Sequence, residues 1–188
     1  MRKLLSGLGV ILGMMLAVAP VMAQDAAAKK QPKPAPSPSQ AVLEQWNDIG
    51  RKVIAIAEDL PEDKYDYKPN PDSRTFVAML LHDAGSMYYF TDTAQGKKAR
   101  YPDDPKRDEL KTKAQVVAFV KQCVKDGADL IKEKGDKGMM EQVDAGGQMM
   151  RLTDLAYALI EHSGEHYGAM VVYYRANGIV PPESRKKN

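Results

Sequence analysis

Hydrophobic and polar positions follow a helical period along most of the chain between residues 41 and 176. Apolar residues recur three and four positions apart, which places them on one face of an α-helix. Four segments have this pattern, and they are listed here by their approximate limits: 41–60, 73–95, 112–134 and 152–176. No segment alternates convincingly in the manner of a strand, so the chain is predicted to be all-α.

The limits of these helices are marked by residues that start or stop a helix. Pro61 closes the first helix, and Ser73 is a good N-cap for the second. Thr112, with Gln115 three residues later, matches a capping box at the start of the third. Gly178 provides a left-handed stop after the fourth. The glycine-rich segment 135–148 is predicted to be a loop with short irregular structure.

Four helices of about twenty residues, joined by connections of ten to twenty, predict a four-helix bundle. The connections are longer than the shortest turns found in bundles. At least one of them is therefore expected to cross over the bundle or to shape a pocket.

The first residues have the features of an export signal rather than of a folded domain. Arg2 and Lys3 precede an apolar stretch, and Val21-Met-Ala23 supplies a cleavage site. Residues 1–23 are therefore predicted to be a signal peptide, and the protein to be periplasmic or extracellular. No membrane span is expected after cleavage. A retained membrane anchor is the alternative interpretation.

The rest of the chain divides into three parts. Residues 24–40 form an Ala-, Pro- and Lys-rich linker, in which alternating prolines favour extended geometry. Residues 41–183 have the length of one domain, and residues 184–188 form a basic tail. Cys123 is the only cysteine, so an internal disulfide is excluded. Its helical position beside apolar residues predicts a buried structural thiol.

The charge of the chain gives no sign of a nucleic-acid partner. The chain has 27 basic and 25 acidic residues. Removal of the signal peptide takes away Arg2 and Lys3 and leaves 25 of each. No cluster of lysine and arginine with interleaved aromatic residues is present. Nucleic-acid binding is therefore not expected.

The chain has three histidines, His82, His162 and His166. The last two are four residues apart in a predicted helix, so their imidazoles leave the same face one turn apart. Together with a histidine from another helix they could form an open site for zinc, nickel, iron or copper. Their nitrogens would then converge to within about 4 Å. Chance spacing of surface or core histidines is the alternative.

The same segment also matches a peptidase motif. His162-Ser-Gly-Glu-His166 has the H-x-x-E-H pattern of inverted zinc peptidases, in which Glu165 would be the general base. That site needs a further glutamate downstream, and Glu183 is the only one. Gly164 inside the motif also weakens its rigid presentation on a helix. The peptidase hypothesis is therefore weaker than that of a simple three-histidine site.

Several segments together resemble the DinB superfamily of DinB/YfiT-like proteins. They are Ala78-Met-Leu-Leu-His82, His162-Ser-Gly-Glu-His166 and the exit Asn177-Gly-Ile-Val-Pro-Pro182. The similarity covers about residues 41–183. Each segment alone is weak evidence, but the combination is fairly specific.

The resemblance implies a four-helix bundle that holds a divalent ion such as zinc, nickel, iron or manganese. It implies that His82, His162 and His166 are the ligands, and that a homodimer forms. A common family pattern has Arg and Gln shortly after the last histidine, where this chain has Tyr167 and Ala169. Any role of those two side chains is therefore missing here.

The resemblance also implies a class of activity. Some relatives are thiol transferases and others are proposed hydrolases. The chain is accordingly expected to be a metal-dependent hydrolase or transferase acting on a small molecule. A non-catalytic envelope protein, stress-related or metal-binding, is the alternative. Small thiols are scarce outside the cytoplasm, which weakens the thiol-transferase hypothesis.

Overall fold

The computed structural model describes residues 32–100 and 104–186, which contain four long helices and one small hairpin. The elements are α1 (Pro38–Asp59), α2 (Phe76–Thr93), α3 (Lys113–Gly138), β1 (Gln142–Asp144), β2 (Met149–Arg151) and α4 (Leu152–Ala176). Short 3-10 helices lie at Glu62–Lys64 and Pro182–Ser184. The predicted signal peptide, much of the linker and the last two residues lie outside the described residues.

Side chains at the helix starts satisfy backbone N–H groups that have no partner within the helix. The Ser37 hydroxyl accepts from Gln40 at α1. The Thr75 hydroxyl accepts from the Ala78 N–H at α2. Since Thr75 is the cap, α2 begins at Phe76 and the prediction of Ser73 as its N-cap is wrong. The predicted capping box at the start of α3 is confirmed.

The helices form a four-helix bundle in which the contacting pairs are α1–α3, α3–α2, α2–α4 and α4–α1. The consecutive pairs α1–α2 and α3–α4 therefore lie diagonally across the bundle, whereas α2 packs against α3. This arrangement agrees with the expectation that a connection crosses over. It also places α2 directly against α4, although the whole of α3 separates them in sequence.

The core is apolar and includes large side chains from all four helices. Trp46 of α1 is 2% exposed, and its indole N–H donates to the Val124 carbonyl of α3 at 2.9 Å. A Cβ atom at Gly127 would lie only 2.0 Å from the Trp46 ring. The glycine thus allows α1 and α3 to approach closely. Cys123 is fully buried beside this contact region, as predicted.

The structure differs from the sequence prediction in the glycine-rich segment 135–148. A two-stranded antiparallel hairpin lies there, in which Val143 pairs with Met150. Strands of three residues are too short to show an alternating pattern, so they could not be predicted from the sequence. Helix α3 also continues past its predicted end through a kink at Gly135, where φ is 55°. Helix α4 has the predicted limits.

Candidate metal centre

The three histidines come together between α2 and α4. His82 lies on α2, and His162 and His166 lie one turn apart on α4. The ring centroids are 4.3 Å apart for His162 and His166, 4.8 Å for His82 and His166, and 5.2 Å for His82 and His162. The helical spacing predicted from the sequence places His162 and His166 on one face of α4, and the packing of α2 against α4 brings His82 to them.

The potential ligand atoms of the three side chains lie within 4.8 Å of one another. Nitrogens at about 2.1 Å from one ion are at most about 4 Å apart. The imidazoles must therefore move inwards by less than about 1 Å to share an ion. His162 Nε2 is buried and has no hydrogen-bond partner among the described residues. An unsatisfied ring nitrogen beside two other imidazoles is a donor set that fits a divalent metal ion.

Asp104 orients the histidine of α2. Its Oδ1 atom lies 2.6 Å from Nδ1 of His82. A carboxylate at this distance favours a proton on Nδ1, which leaves Nε2 of His82 as the free lone pair. Carboxylates hydrogen-bonded to ligand histidines in this way fix the ring and increase its basicity. The contact therefore leaves Nε2 of His82 available as a ligand atom.

Burial keeps the two histidines of α4 neutral. It lowers the pKa of His166 to about 4, with further contributions from His162, His82 and Arg74. Burial, followed by the charge of His82, also lowers the pKa of His162 below its usual value of 6.5. Metal ions bind the neutral imidazole, so at neutral pH no proton has to leave these two rings.

Arg74 adds positive charge at the edge of the cluster. Its guanidinium lies 3.4 Å from the second oxygen of Asp104. The backbone carbonyl of Arg74 accepts a hydrogen bond of 2.8 Å from the hydroxyl of Tyr173 near the end of α4. Tyr173 is itself buried and belongs to the core of the bundle. The bond ties the segment before α2 to α4 beside the three histidines.

Two acidic residues next to the histidines in sequence stand outside the cluster. Asp83 is fully buried, and neither of its oxygens has a hydrogen-bond partner among the described residues. Burial raises the pKa of Asp83 to about 7, an effect that the nearby Ser163 hydroxyl partly opposes. Glu165 points to solvent. Successive residues of a helix differ in direction by about 100°, so each of these two residues leaves its helix on a different side from the neighbouring histidine.

The structure does not support the peptidase hypothesis. Glu183, the only downstream glutamate, accepts a hydrogen bond of 3.0 Å from Arg51 on α1. Its carboxylate is not among the ligand atoms that converge with the three histidines in the described part of the chain. A glutamate held by an arginine at another point of the bundle does not complete the site that an H-x-x-E-H motif requires.

The sequence did not indicate Asp104 or Arg74 as residues of this site. Asp104 lies in a charged loop with several acidic residues, and nothing in the pattern distinguishes it from Asp108 or Glu109. Arg74 precedes α2 in a segment that was predicted to be helical. Only the packing of these segments against α2 brings both side chains to His82.

Within residues 32–100 and 104–186, no helix is long and apolar enough to cross a membrane.

Comparison with known proteins agrees with the fold. The bundle is similar to a DinB-like protein from Bacillus cereus ATCC 10987, with a TM-score of 0.64, 17% identity, and coverage of 76% of this chain and 95% of that one. It is also similar to the DinB-like protein YjoA of Bacillus subtilis, with a TM-score of 0.62, 17% identity, and coverage of 78% and 99%. No curated protein sequence gave a match.

The sequence pattern of one family covers most of the bundle. The pattern of the DinB superfamily matches residues 45–170, which run from α1 into α4 and include all three histidines. The match covers more than half of the chain, and it agrees with both the helical arrangement and the structural neighbours. The chain belongs to the DinB superfamily.

Proposed function

We propose that His82, His162 and His166 bind one divalent metal ion, such as zinc, nickel, iron or manganese, and that the ion serves a reaction on a small molecule. The convergence of three imidazoles from two helices carries this proposal. Three nitrogen ligands leave coordination positions for water or substrate, which is typical of catalytic rather than structural sites.

The surrounding residues would support that chemistry in different ways. A bound divalent ion would supply Lewis acidity that lowers the pKa of a water or thiol. The Asp104 carboxylate, 2.6 Å from Nδ1 of His82, favours the tautomer whose Nε2 lone pair would be available to the ion. Arg74 supplies a positive charge that would attract an anionic group on the substrate.

Hydrolysis is the reaction that we favour. The His82 side chain is 23% exposed, so water and small molecules reach the cluster from solvent. The alternative transfer reaction needs a low-molecular-weight thiol as co-substrate. Such thiols are scarce in the compartment that we propose for this protein. A non-catalytic metal-binding protein is the second candidate, and the activity measurements below separate the two.

We also propose that the protein is exported and acts as a homodimer in the periplasm or outside the cell. The sequence of residues 1–23 supports export. N-terminal sequencing of the protein from the periplasmic or secreted fraction should begin at Gln24. Sedimentation equilibrium of the same material should give twice the mass of the mature chain. A cytoplasmic protein with an intact N-terminus contradicts export, and a monomer contradicts the dimer.

Metal content is the first test. The purified chain is incubated with zinc, nickel, iron or manganese, passed over a desalting column and analysed for bound metal. The wild type should retain about one equivalent, and the double variant His162→Ala, His166→Ala should retain less than a tenth of that. Tyr157→Ala, an exposed change on the same helix, is the control and should match the wild type. Equal metal content in the wild type and the double variant refutes the site.

Activity is the second test, made on the metal-loaded and the chelator-treated protein. An activated ester such as p-nitrophenyl acetate reports hydrolysis, and 1-chloro-2,4-dinitrobenzene with added cysteine reports thiol transfer. Metal-dependent turnover that the double variant lacks supports an enzyme. A protein that binds one equivalent of metal without accelerating either reaction supports the non-catalytic alternative.

A further inference from the structure

A cleft of about 400 Å³ opens between the end of α2, the loop that follows it and the β-hairpin. We call this the hairpin cleft. Its walls include Tyr89 and Thr93 of α2, Lys97 and Lys98 of the loop, and Asp144 at the end of β1. Tyr89 follows His82 by seven residues, so the cleft begins about 10 Å further along α2 than the histidine cluster.

The hairpin cleft has a positive balance of charge. Lys97 and Lys98 contribute two cations, and Asp144 contributes one anion, one oxygen of which already accepts from the Gly147 N–H at 2.6 Å. Neither lysine forms a salt bridge with an acidic residue of the described part of the chain, although the Lys97 ammonium donates to the neutral Gln95 side chain at 2.6 Å. Two lysines beside one partly satisfied carboxylate favour a ligand with a single negative charge.

Two hydroxyl groups in the hairpin cleft also lack partners. Thr93 is 8% exposed, and its hydroxyl forms no hydrogen bond within residues 32–100 and 104–186. The same holds for the hydroxyl of Tyr89, which is half-buried. Neither oxygen is among the buried polar atoms of the described residues that lack a partner, so both hydroxyls are accessible from the cleft and free to donate. A ligand in the cleft would accept these two hydrogen bonds.

The loop that carries the lysines is firmly held on α2. Asp92 is 2% exposed, and Arg100 donates to it with both its guanidinium and its backbone N–H, the shortest of these bonds being 2.7 Å. The Arg100 guanidinium also lies 3.8 Å from the centre of the Tyr88 ring. The Lys97 N–H donates to the Asp92 carbonyl at 2.9 Å. These contacts fix the loop, so little ordering is needed on binding.

The turn of the hairpin closes the other side. Gly146 has a φ of +72°, and a Cβ atom there would lie 3.2 Å from the Tyr89 hydroxyl. Any side chain at this position would therefore intrude on the space beside the Tyr89 hydroxyl. The glycine keeps the cleft open while the backbone stays close to the aromatic ring.

We propose that the hairpin cleft is a second binding site, for a small organic monocarboxylate. Lys97 and Lys98 provide the charge that the carboxylate needs, and the Thr93 and Tyr89 hydroxyls donate to its oxygens. The apolar part of the ligand packs against the Tyr89 ring. This site uses none of the three histidines and does not depend on a metal ion.

The test is a titration of the chelator-treated chain followed by two-dimensional amide NMR. The probes are benzoate and its neutral analogue benzyl alcohol. Benzoate should shift the amide signals of residues 93–99 and 144–147 in a saturable way. Benzyl alcohol should bind at least about tenfold more weakly, because it has no charge for the two lysines.

Variants locate the binding. The double change Lys97→Gln, Lys98→Gln should weaken benzoate binding about tenfold, and Thr93→Val should weaken it severalfold. Lys111→Gln, an exposed lysine outside the cleft, should have no effect. The double variant His162→Ala, His166→Ala should bind benzoate as the wild type does, which separates this site from the proposed metal centre.

Three results would overturn the proposal. The first is the absence of saturable shifts with benzoate. The second is equal affinity of the lysine double variant and the Lys111→Gln control. The third is loss of benzoate binding in the histidine double variant, which would place the carboxylate at the histidines instead.

Discussion

Asp104 offers the sharpest test of the metal centre, because it supports a ligand without being one. Asp104→Asn removes the negative charge that lies 2.6 Å from Nδ1 of His82 and leaves the size of the side chain unchanged. Loss of such a partner typically lowers metal affinity by 10–100-fold. Asp104 is 43% exposed, so solvent weakens the contact and we expect about tenfold, or about 1.4 kcal/mol.

The same change can be followed through metal-induced stabilisation. A ligand present at 100 times its Kd stabilises the folded state by about 2.7 kcal/mol, and at 10 times by about 1.4 kcal/mol. For a domain of this size, 1 kcal/mol corresponds to about 2–4 °C in Tm. Zinc at 100 times the wild-type Kd should therefore raise the Tm of the wild type by about 5–10 °C and that of Asp104→Asn by about half as much.

Competition with a chelating dye at pH 7 gives the affinities directly. Asp108→Asn is the matched control, since Asp108 is exposed in the same loop and forms no ion pair within the described residues. Arg74→Gln removes the other partner of Asp104 and also a positive charge that would repel the metal ion. The zinc affinity of this variant should therefore equal or exceed that of the wild type. Equal zinc affinity of Asp104→Asn and Asp108→Asn refutes the proposed role of Asp104.

Three further changes test the packing and electrostatics of the bundle. Gly127→Ala should destabilise the fold by about 1–3 kcal/mol in urea unfolding, because its Cβ would meet the Trp46 ring at 2.0 Å; an unchanged midpoint contradicts this. Asp92 is buried, which raises its pKa, but hydrogen bonds from Arg100 outweigh burial and hold that pKa below 3.8. The pair therefore stabilises the fold above about pH 4 and less as the pH falls further. Arg100→Gln should lower the free energy of unfolding by about 1–2 kcal/mol at pH 7 and by less at pH 3. The value at pH 7 is modest because Arg100 is 46% exposed and solvent weakens the pair. A loss of stability that is the same at both pH values is incompatible with this account. Gly164→Ala, in the chelator-treated protein, should raise stability by about 0.5–1 kcal/mol, because the added methyl group meets no atom within 4 Å; a lower Tm would show an unrecognised constraint.

The bundle and the shared face of His162 and His166 could be predicted because both depend on regular helical spacing, and the resemblance to the DinB superfamily implied His82 as their partner. His162 and His166 share a face wherever α4 packs, and the apolar stripe of α2 determines the side on which His82 lies. The limits of α4 and the capping box of α3 followed from local signals in the same way.

The parts that could not be predicted depend on contacts between distant segments. Asp104 meets His82 only because its loop folds back over α2. Nothing in the sequence distinguishes Asp104 from the other acidic residues of the loops. The hairpin strands, Gln142–Asp144 and Met149–Arg151, are too short to show a period. The hairpin cleft exists because this turn lies against Tyr89, a long-range contact that no local pattern encodes.

The position of the histidines on α2 and α4 has a consequence for folding. An ion bound to His82 and to the pair on α4 would act as a crosslink that spans about 80 residues of sequence, in a chain whose single cysteine excludes a disulfide. Loop closure on this scale removes considerable freedom from an unfolded chain. Metal binding and the docking of α4 onto α2 would then be one event, since the ligands meet only in the assembled bundle. The loaded protein would separate α2 from α4 last during unfolding, whereas in the metal-free protein side-chain packing and the Tyr173–Arg74 hydrogen bond would hold these segments together.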